Sequence, residues 1–220
     1  MATTWNKPAG LPVFPPHAEP DGDSVLARLL RDQPARAQVP WPEGFEGGIA
    51  HRLDNSTSGA LWVADDVREL GVLRDAFQGG RLTKTYLMRT SRVVGWTENT
   101  CDRAIAHDAQ KRRRMIVQRG ESTPHRGAWY PAHTRFVRRH DDVWQVQITT
   151  GVMHQIRVHA AFLGIPLLGD SLYGGGTTPD DAPEGITFFL HHVGLSGAGL
   201  QTSPVPDPAW AHPRSTITGA

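Results

Sequence analysis

The strongest constraint on how this chain folds is a change of character between residues 47 and 64. A Gly47-Gly48 pair is followed by His51-Arg52-Leu53-Asp54-Asn55-Ser56-Thr57-Ser58-Gly59, nine positions that hold an imidazole, a guanidinium, a carboxylate, small polar groups and a turn glycine. Then comes the unbroken apolar run Ala60-Leu61-Trp62-Val63-Ala64. A short apolar run bounded by turn residues reads as a strand buried on both faces. The polar stretch reads as a loop delivered by that strand, so a core must form around the strand with the loop standing at its end. The residues alone leave two uses for that loop. It is either a polar turn, with Asp54 and Ser56 bonding nearby backbone groups, or the setting of a carboxylate held for chemistry.

The rest of the chain alternates short helices and strands. Asp23 is placed to cap a helix over Ser24 to Asp32, with Val25, Leu26, Leu29 and Leu30 on one face and Pro34 ending it. Residues 35–48 read as a loop. Asp65-Asp66 places acids at the start of a second helix with the stripe Val67, Leu70, Leu73 and Phe77, stopped by Gly79-Gly80. Residues 81–88 alternate as a strand with Leu82, Lys84, Tyr86 and Met88 on one side. Residues 103–106, 115–118, 128–137 and 143–149 are further strand candidates. Lys111-Arg112-Arg113-Arg114 lies between two of them as an exposed basic loop or hairpin tip. A third helix is expected from about His154 to Leu163, stopped by Gly164 and Pro166. A loose, proline-rich tail is expected over 203–220.

With 220 residues, 39% of them hydrophobic, the chain is long enough for one sizeable core, and 1–220 reads as a single domain. No apolar run approaches membrane-spanning length and the first residues lack the apolar centre of a signal peptide, so a soluble, cytoplasmic protein is expected. One cysteine, Cys101, excludes an internal disulfide. None of the 11 histidines shows ligand spacing: His154 and His159 fall on different helix faces, and His191 and His192 point to opposite sides of a strand. No metal is expected. The net charge is only +1, yet Arg81 to Arg139 holds fourteen Lys and Arg against four acids. Such asymmetry gives one face a field that attracts phosphate.

Five strings resemble the RluA class of RNA pseudouridine synthases. His51 to Gly59 is similar to that family's HRLDxxTSG, and Lys7-Pro8-Ala9-Gly10-Leu11-Pro12-Val13 to its KPxGLxV. Lys84-Thr85-Tyr86 is similar to KxY. Thr150 to Gly174 is similar to TGRxHQIRVHxxxLGxPxxGDxxYG, with Val152 standing where the family has arginine. Phe188 to His192 resembles the family's late strand.

The resemblance implies an α+β fold, a long mixed, mostly antiparallel β-sheet with flanking helices and loops around a central cleft, with no N-terminal S4 domain. It implies an isomerase that turns uridine into pseudouridine in structured RNA, ribosomal or transfer RNA, without a cofactor. Asp54 takes the place of the essential aspartate, Arg157 that of the arginine paired with it, and Tyr86 that of the tyrosine lining the uracil pocket. Arg52 corresponds to the residue that fills the space left by the flipped base, and Leu190 to an apolar wall. His51, Lys84, His154 and Gln155 are placed against the substrate by the same strings. The basic run Lys111, Arg112, Arg113 and Arg114 is expected to meet RNA phosphates. A monomer with no obligate protein partner is expected. The other reading is an RNA-binding relative that has lost activity, with Val152 as its mark.

Overall fold

A computed structural model describes residues 2–140, 142–180, 182–203 and 205–212. In chain order the elements are β1 (Thr3–Lys7), α1 (Val25–Asp32), β2 (Ser58–Val63), α2 (Val67–Gln78), β3 (Thr83–Arg89) and β4 (Glu98–Cys101). There follow β5 (Ile105–Asp108), β6 (Met115–Val117), β7 (His125–Tyr130), β8 (Thr134–His140), β9 (Val143–Ile148), α3 (Gln155–Phe162), β10 (Leu190–Gly197) and β11 (Leu200–Gln201).

The apolar run does form a buried strand, β2, but the polar loop enters that strand rather than leaving it. Alternation along β2 feeds two cores. Leu61 and Val63 join Val25 and Leu29 of α1 and Ile156 and Ala160 of α3. Trp62 and Ala64 join Leu70, Leu73 and Ala76 of α2. Helices therefore cover both faces at this point, which explains why the run has no polar alternation.

The main sheet has the order β1-β2-β10-β3-β9-β8-β4, with β11 paired to β10. Its pairings are antiparallel except β2 with β10, so it is mixed and mostly antiparallel, as expected. The parallel contact requires a glycine. Gly59 sits at φ 113°, and a Cβ there would lie 2.1 Å from the His192 carbonyl oxygen. Gly59 thus lets the loop bearing Asp54 descend directly beside β10.

A second, three-stranded sheet, β6-β5-β7, is an addition to the expected architecture. Its apolar side, Ile105, Met115 and Val117, packs on Val158 and Tyr173. The single strand expected over 128–137 is in fact two, β7 and β8, which belong to different sheets. Pro131 falls in the break, where it withholds a ladder donor.

Smaller expectations also change. Ser24, not Asp23, caps α1, its Oγ accepting from Ala27 N at 3.0 Å, while Asp23 pairs with Arg28. Asp66 caps α2 as its acid-rich start suggests, but Val67 is exposed and Ala76 takes its place on the buried stripe. The tail is held over 205–212: Trp210 packs edge-on against Phe189, and His140 Nε2 lies 2.9 Å from Ala211 O. Residues 204 and 213–220 of the expected loose tail lie outside the described residues. Among the described residues no helix is long and apolar enough to cross a membrane.

Candidate active site

The loop before β2, the middle of β3, the start of α3 and the first residue of β10 converge on a cavity of about 160 Å³. Arg52, Asp54, Lys84, Tyr86, His154, Gln155, Arg157 and Leu190 all line it. Residues as distant in sequence as Asp54 and Leu190 are therefore brought to one place, and His51 is the exception.

Asp54 is exposed at the cavity. Among the described residues its carboxylate makes no hydrogen bond and no ion pair; its backbone oxygen accepts from Thr57 N at 3.0 Å, closing the turn. Its charge still reaches Lys7, Tyr86, His154 and Arg157, each of which it biases toward the protonated form. The loop is braced from below by a residue whose role is not apparent from the sequence. Lys7, at the end of β1, is fully buried and its Nζ donates to Leu11 O at 2.7 Å, Asn55 O at 2.9 Å and Pro8 O at 3.0 Å. Gly10 N adds a bond to the same Asn55 oxygen at 2.8 Å. Burial pulls the Lys7 ammonium down to about 8, partly opposed by Asp54.

The expected pairing of Arg157 with Asp54 is corrected. Arg157 Nε and Nη2 bind the two oxygens of Asp170 at 2.7 and 2.8 Å, a forked pair in which Asp170 is 1% exposed. The guanidinium lies 4.4 Å from the Phe188 ring centroid and 5.0 Å from that of Tyr173. A planar cation clamped in this way fits a buried carboxylate better than the exposed one on the loop. Arg157 therefore gives Asp54 a fixed positive field and leaves its oxygens open.

Tyr86 is buried on β3, its ring 4.6 Å from that of His192 on the paired strand. Burial first, and the Asp54 charge second, raise its phenol well above the ordinary value, so the hydroxyl stays protonated. Lys84, two residues earlier on the same side of β3, is half-buried. Its Nζ lies 5.3 Å from the Phe77 ring, and burial lowers its pKa. Among the described residues that ammonium makes no hydrogen bond or ion pair, and the same holds for the Arg52 guanidinium, so the cavity holds one uncommitted carboxylate, Asp54, and two uncommitted cations, Lys84 and Arg52.

His154 begins α3 in a left-handed conformation, φ 55° and ψ 18°, which is uncommon outside glycine and costs of order 1 kcal/mol. Its Nδ1 lies 2.9 Å from the Tyr173 hydroxyl, which also accepts from Met115 N at 2.9 Å. The Tyr173 hydroxyl thus links the backbone of β6 to the His154 ring. Burial, followed by Arg157, lowers the His154 pKa and favours the neutral ring.

Two expected substrate ligands turn out to be structural. Gln155 is fully engaged: Nε2 donates to His133 O and Thr134 Oγ1, and Oε1 accepts from the Thr150 hydroxyl and Val152 N. It fixes the start of α3. His51 Nε2 accepts from Trp62 N at 3.1 Å and its ring packs on Phe77 and His192, away from the cavity. Burial, with His192 and Lys84 adding to it, holds its pKa well below the ordinary value.

The basic run is the tip of the β5–β6 hairpin, with Lys111, Arg112 and Arg113 exposed. Arg114 instead leans over the Tyr173 ring at 5.6 Å. Several other arginines of the cationic segment are committed to the fold: Arg89 to Asp142, Arg135 to Glu98, and Arg138 to the carbonyls of Val94 and Trp96. Among the described residues no group of three or more His, Cys, Asp or Glu side chains could hold a metal ion.

A sequence model of the RNA pseudouridylate synthase family matches residues 3–162, which include both the Asp54 loop and the start of α3. The chain belongs to that family. Relatives include ribosomal large subunit pseudouridine synthase D of Xylella fastidiosa, 39% identical over 174 residues, covering 77% of this chain and 48% of that protein. The protein of the same name from Haemophilus ducreyi is 36% identical over 176 residues, covering 79% and 50%. The chain thus spans about half the length of these curated relatives. Among solved structures, human RNA pseudouridylate synthase domain containing 1 superposes with a TM-score of 0.70 at 25% identity, covering 93% of this chain and 79% of that one. The pseudouridylate synthase fold therefore accounts for nearly the whole chain. Lys7, Asp170 and Tyr173, the site residues whose roles only the structure reveals, all lie inside its motif strings.

Proposed function

We propose that this family member isomerises uridine to pseudouridine in structured RNA, with Asp54 as the reacting carboxylate. The observation that carries this reading is the unbonded Asp54 carboxylate at a cavity floored by Tyr86 and Leu190, with its nearby cation, Arg157, tied to Asp170. The bond from ribose C1′ to uracil N1 breaks, with its electron pair leaving on uracil. The base turns, C5 joins C1′, and the proton on C5 is lost while N1 gains one. Atoms and electrons balance without a cofactor. Asp54 serves as nucleophile at C1′, as counter-charge to the sugar cation, or as base at C2′, as carboxylates do in glycoside cleavage. Lys84 supplies a cationic field for the departing uracil anion. The Tyr86 ring stacks on the base, and its hydroxyl stays a proton donor.

A cavity this small admits one base flipped from its stack, a step costing a few kcal/mol. Arg52, exposed at the cavity and 5.7 Å from the Phe14 ring centroid, is free to stack in the vacated place. The names of the relatives support large-subunit ribosomal RNA as the substrate to test first.

The test is incubation with large-subunit ribosomal RNA transcripts followed by pseudouridine mapping, with Asp54→Asn beside the wild type. The variant is expected to bind RNA normally and lose turnover. Retention of a tenth of the normal rate or more would remove Asp54 from the chemistry.

A further inference from the structure

The cavity that holds Asp54 is not the largest opening among the described residues. A groove of about 680 Å³ lies between the β5–β6 hairpin, the turn at residues 119–124 and the outer side of α3. Its floor is apolar, with Val158, Ala161 and Phe162, the last of these 37% exposed. Its rim is cationic. Arg119 is exposed there, and Arg114 stands over Tyr173 with a buried Nε that has no hydrogen-bond partner. The carboxylate on the same rim, Asp108, is occupied by the backbone N–H groups of Gln110 and Lys111 at 2.8 and 3.0 Å. Lys111, Arg112 and Arg113 continue the positive charge along the adjoining hairpin tip.

An apolar floor beneath arginines matches a molecule with a flat face and a phosphate, which is the chemistry of a nucleotide. Tyr173 ties the groove to the catalytic cavity, because its ring lines the groove while its hydroxyl bonds His154. We infer that this groove is a second nucleotide site, which holds an unpaired base a short way along the same RNA strand from the target uridine, its phosphate against Arg114 and Arg119. The inference rests on the reading of the chain as an RNA-modifying enzyme. A base seated there packs against the residue that orients His154, so the groove selects RNAs whose fold presents a second unstacked base at the right spacing.

Two variants test it. Ala161→Phe fills the floor, and Arg119→Gln removes a rim charge from an exposed side chain that the fold does not need. Both are expected to raise KM on a structured ribosomal stem-loop roughly tenfold, the scale of one base stack. The single-turnover rate at saturating RNA should stay unchanged. On a short oligonucleotide carrying only the target uridine and its immediate neighbours, both should match the wild type. Photo-crosslinking of the wild type to the stem-loop should mark Phe162 or Tyr173. Normal KM for both variants and no crosslink in the groove, while pseudouridine still forms, would overturn the second site and leave the proposed activity standing. If an acidic peptide binds in an Arg119-dependent way and RNA does not crosslink, the groove is a protein site instead. If the wild type neither binds nor modifies RNA, the groove and the activity fall together.

Discussion

Asp170→Ala should be strongly destabilising and Asp54→Ala nearly neutral, although both remove an aspartate from the neighbourhood of Arg157. Asp170 is 1% exposed and accepts two charge-assisted bonds of 2.7 and 2.8 Å from the guanidinium of Arg157, a residue that is itself 9% exposed. Deleting the carboxylate strands that cation between Phe188 and Tyr173. Removing one partner of a buried ion pair costs about 3–5 kcal/mol, because the remaining charge stays desolvated. With a urea slope of about 2 kcal/mol per molar, the unfolding midpoint should fall by roughly 2 M. Asp54 is exposed and its carboxylate makes no bond among the described residues, so Asp54→Ala should lie within about 0.5 kcal/mol of the wild type. Equilibrium unfolding in urea, followed by tryptophan fluorescence, compares the two directly. Equal losses would refute the argument and make Asp54 the true partner of Arg157. Asp170→Asn adds a functional arm: it frees Arg157 to move onto Asp54, so turnover should drop although every group at the reacting centre is still present.

Lys7 makes the pH dependence of turnover specific. Its ammonium titrates near 8, so the cation beneath the Asp54 loop is fully present below that pH and lost as pH rises through it, giving turnover an alkaline limb near pH 8. Lys7→Met has no charge to lose and should be slow at neutral pH without that limb; the same limb in the variant would refute this role. For the hairpin tip, neutralising Lys111, Arg112 and Arg113 together should reduce the slope of log K against log salt by about 0.7–0.9 for each phosphate that the tip pairs with. An unchanged slope in a binding titration would show that the tip faces away from RNA.

The parts of the fold written in local pattern are legible in the sequence. Helix α2 carries its own cap at Asp66, and β2 announces itself as an apolar run between turn residues. Strand β4, Glu-Asn-Thr-Cys, is not legible because only Cys101 of its four residues is buried; pairing with β8 forms it, and pairing is not visible in a polar sequence. The division of β7 from β8 is signalled by Pro131, but the alternation on both sides of it hides the break. At the site, residue identities are legible and partners are not. Arg157 is thirteen residues from Asp170 and over a hundred from Asp54, and only the packing of α3 decides between the two carboxylates. Lys7 draws no attention in a sequence because lysine is ordinarily exposed. Its burial depends on three carbonyls, one of them forty-eight residues away, that fold around it.

The structure also changes the weight of Val152, the departure from the family pattern on which the inactive-relative reading depends. An arginine at 152 would have had two plausible uses, holding phosphate or bracing the Asp54 loop. The bracing is already done from the opposite side, by Lys7 Nζ and Gly10 N on the Asn55 carbonyl. What residue 152 contributes to the start of α3 is backbone: its N–H binds Gln155 Oε1 at 3.2 Å, and its carbonyl accepts from Gln155 N at 3.1 Å. Neither bond depends on the side chain. That side chain is half-buried against the small-sheet core with Ala161 and Leu172, and it also lines the cavity that holds Asp54. With valine at 152, Asp54 and Tyr86 stand at that cavity and Arg157 is paired with Asp170. An arginine there could hold a phosphate, and exposed cations at the hairpin tip are available for that task. We therefore expect the substitution to bear on how tightly RNA is held and not on whether the reacting groups are assembled: Val152→Arg should tighten RNA binding without raising the single-turnover rate at saturating RNA, and a gain of turnover in that variant would refute this.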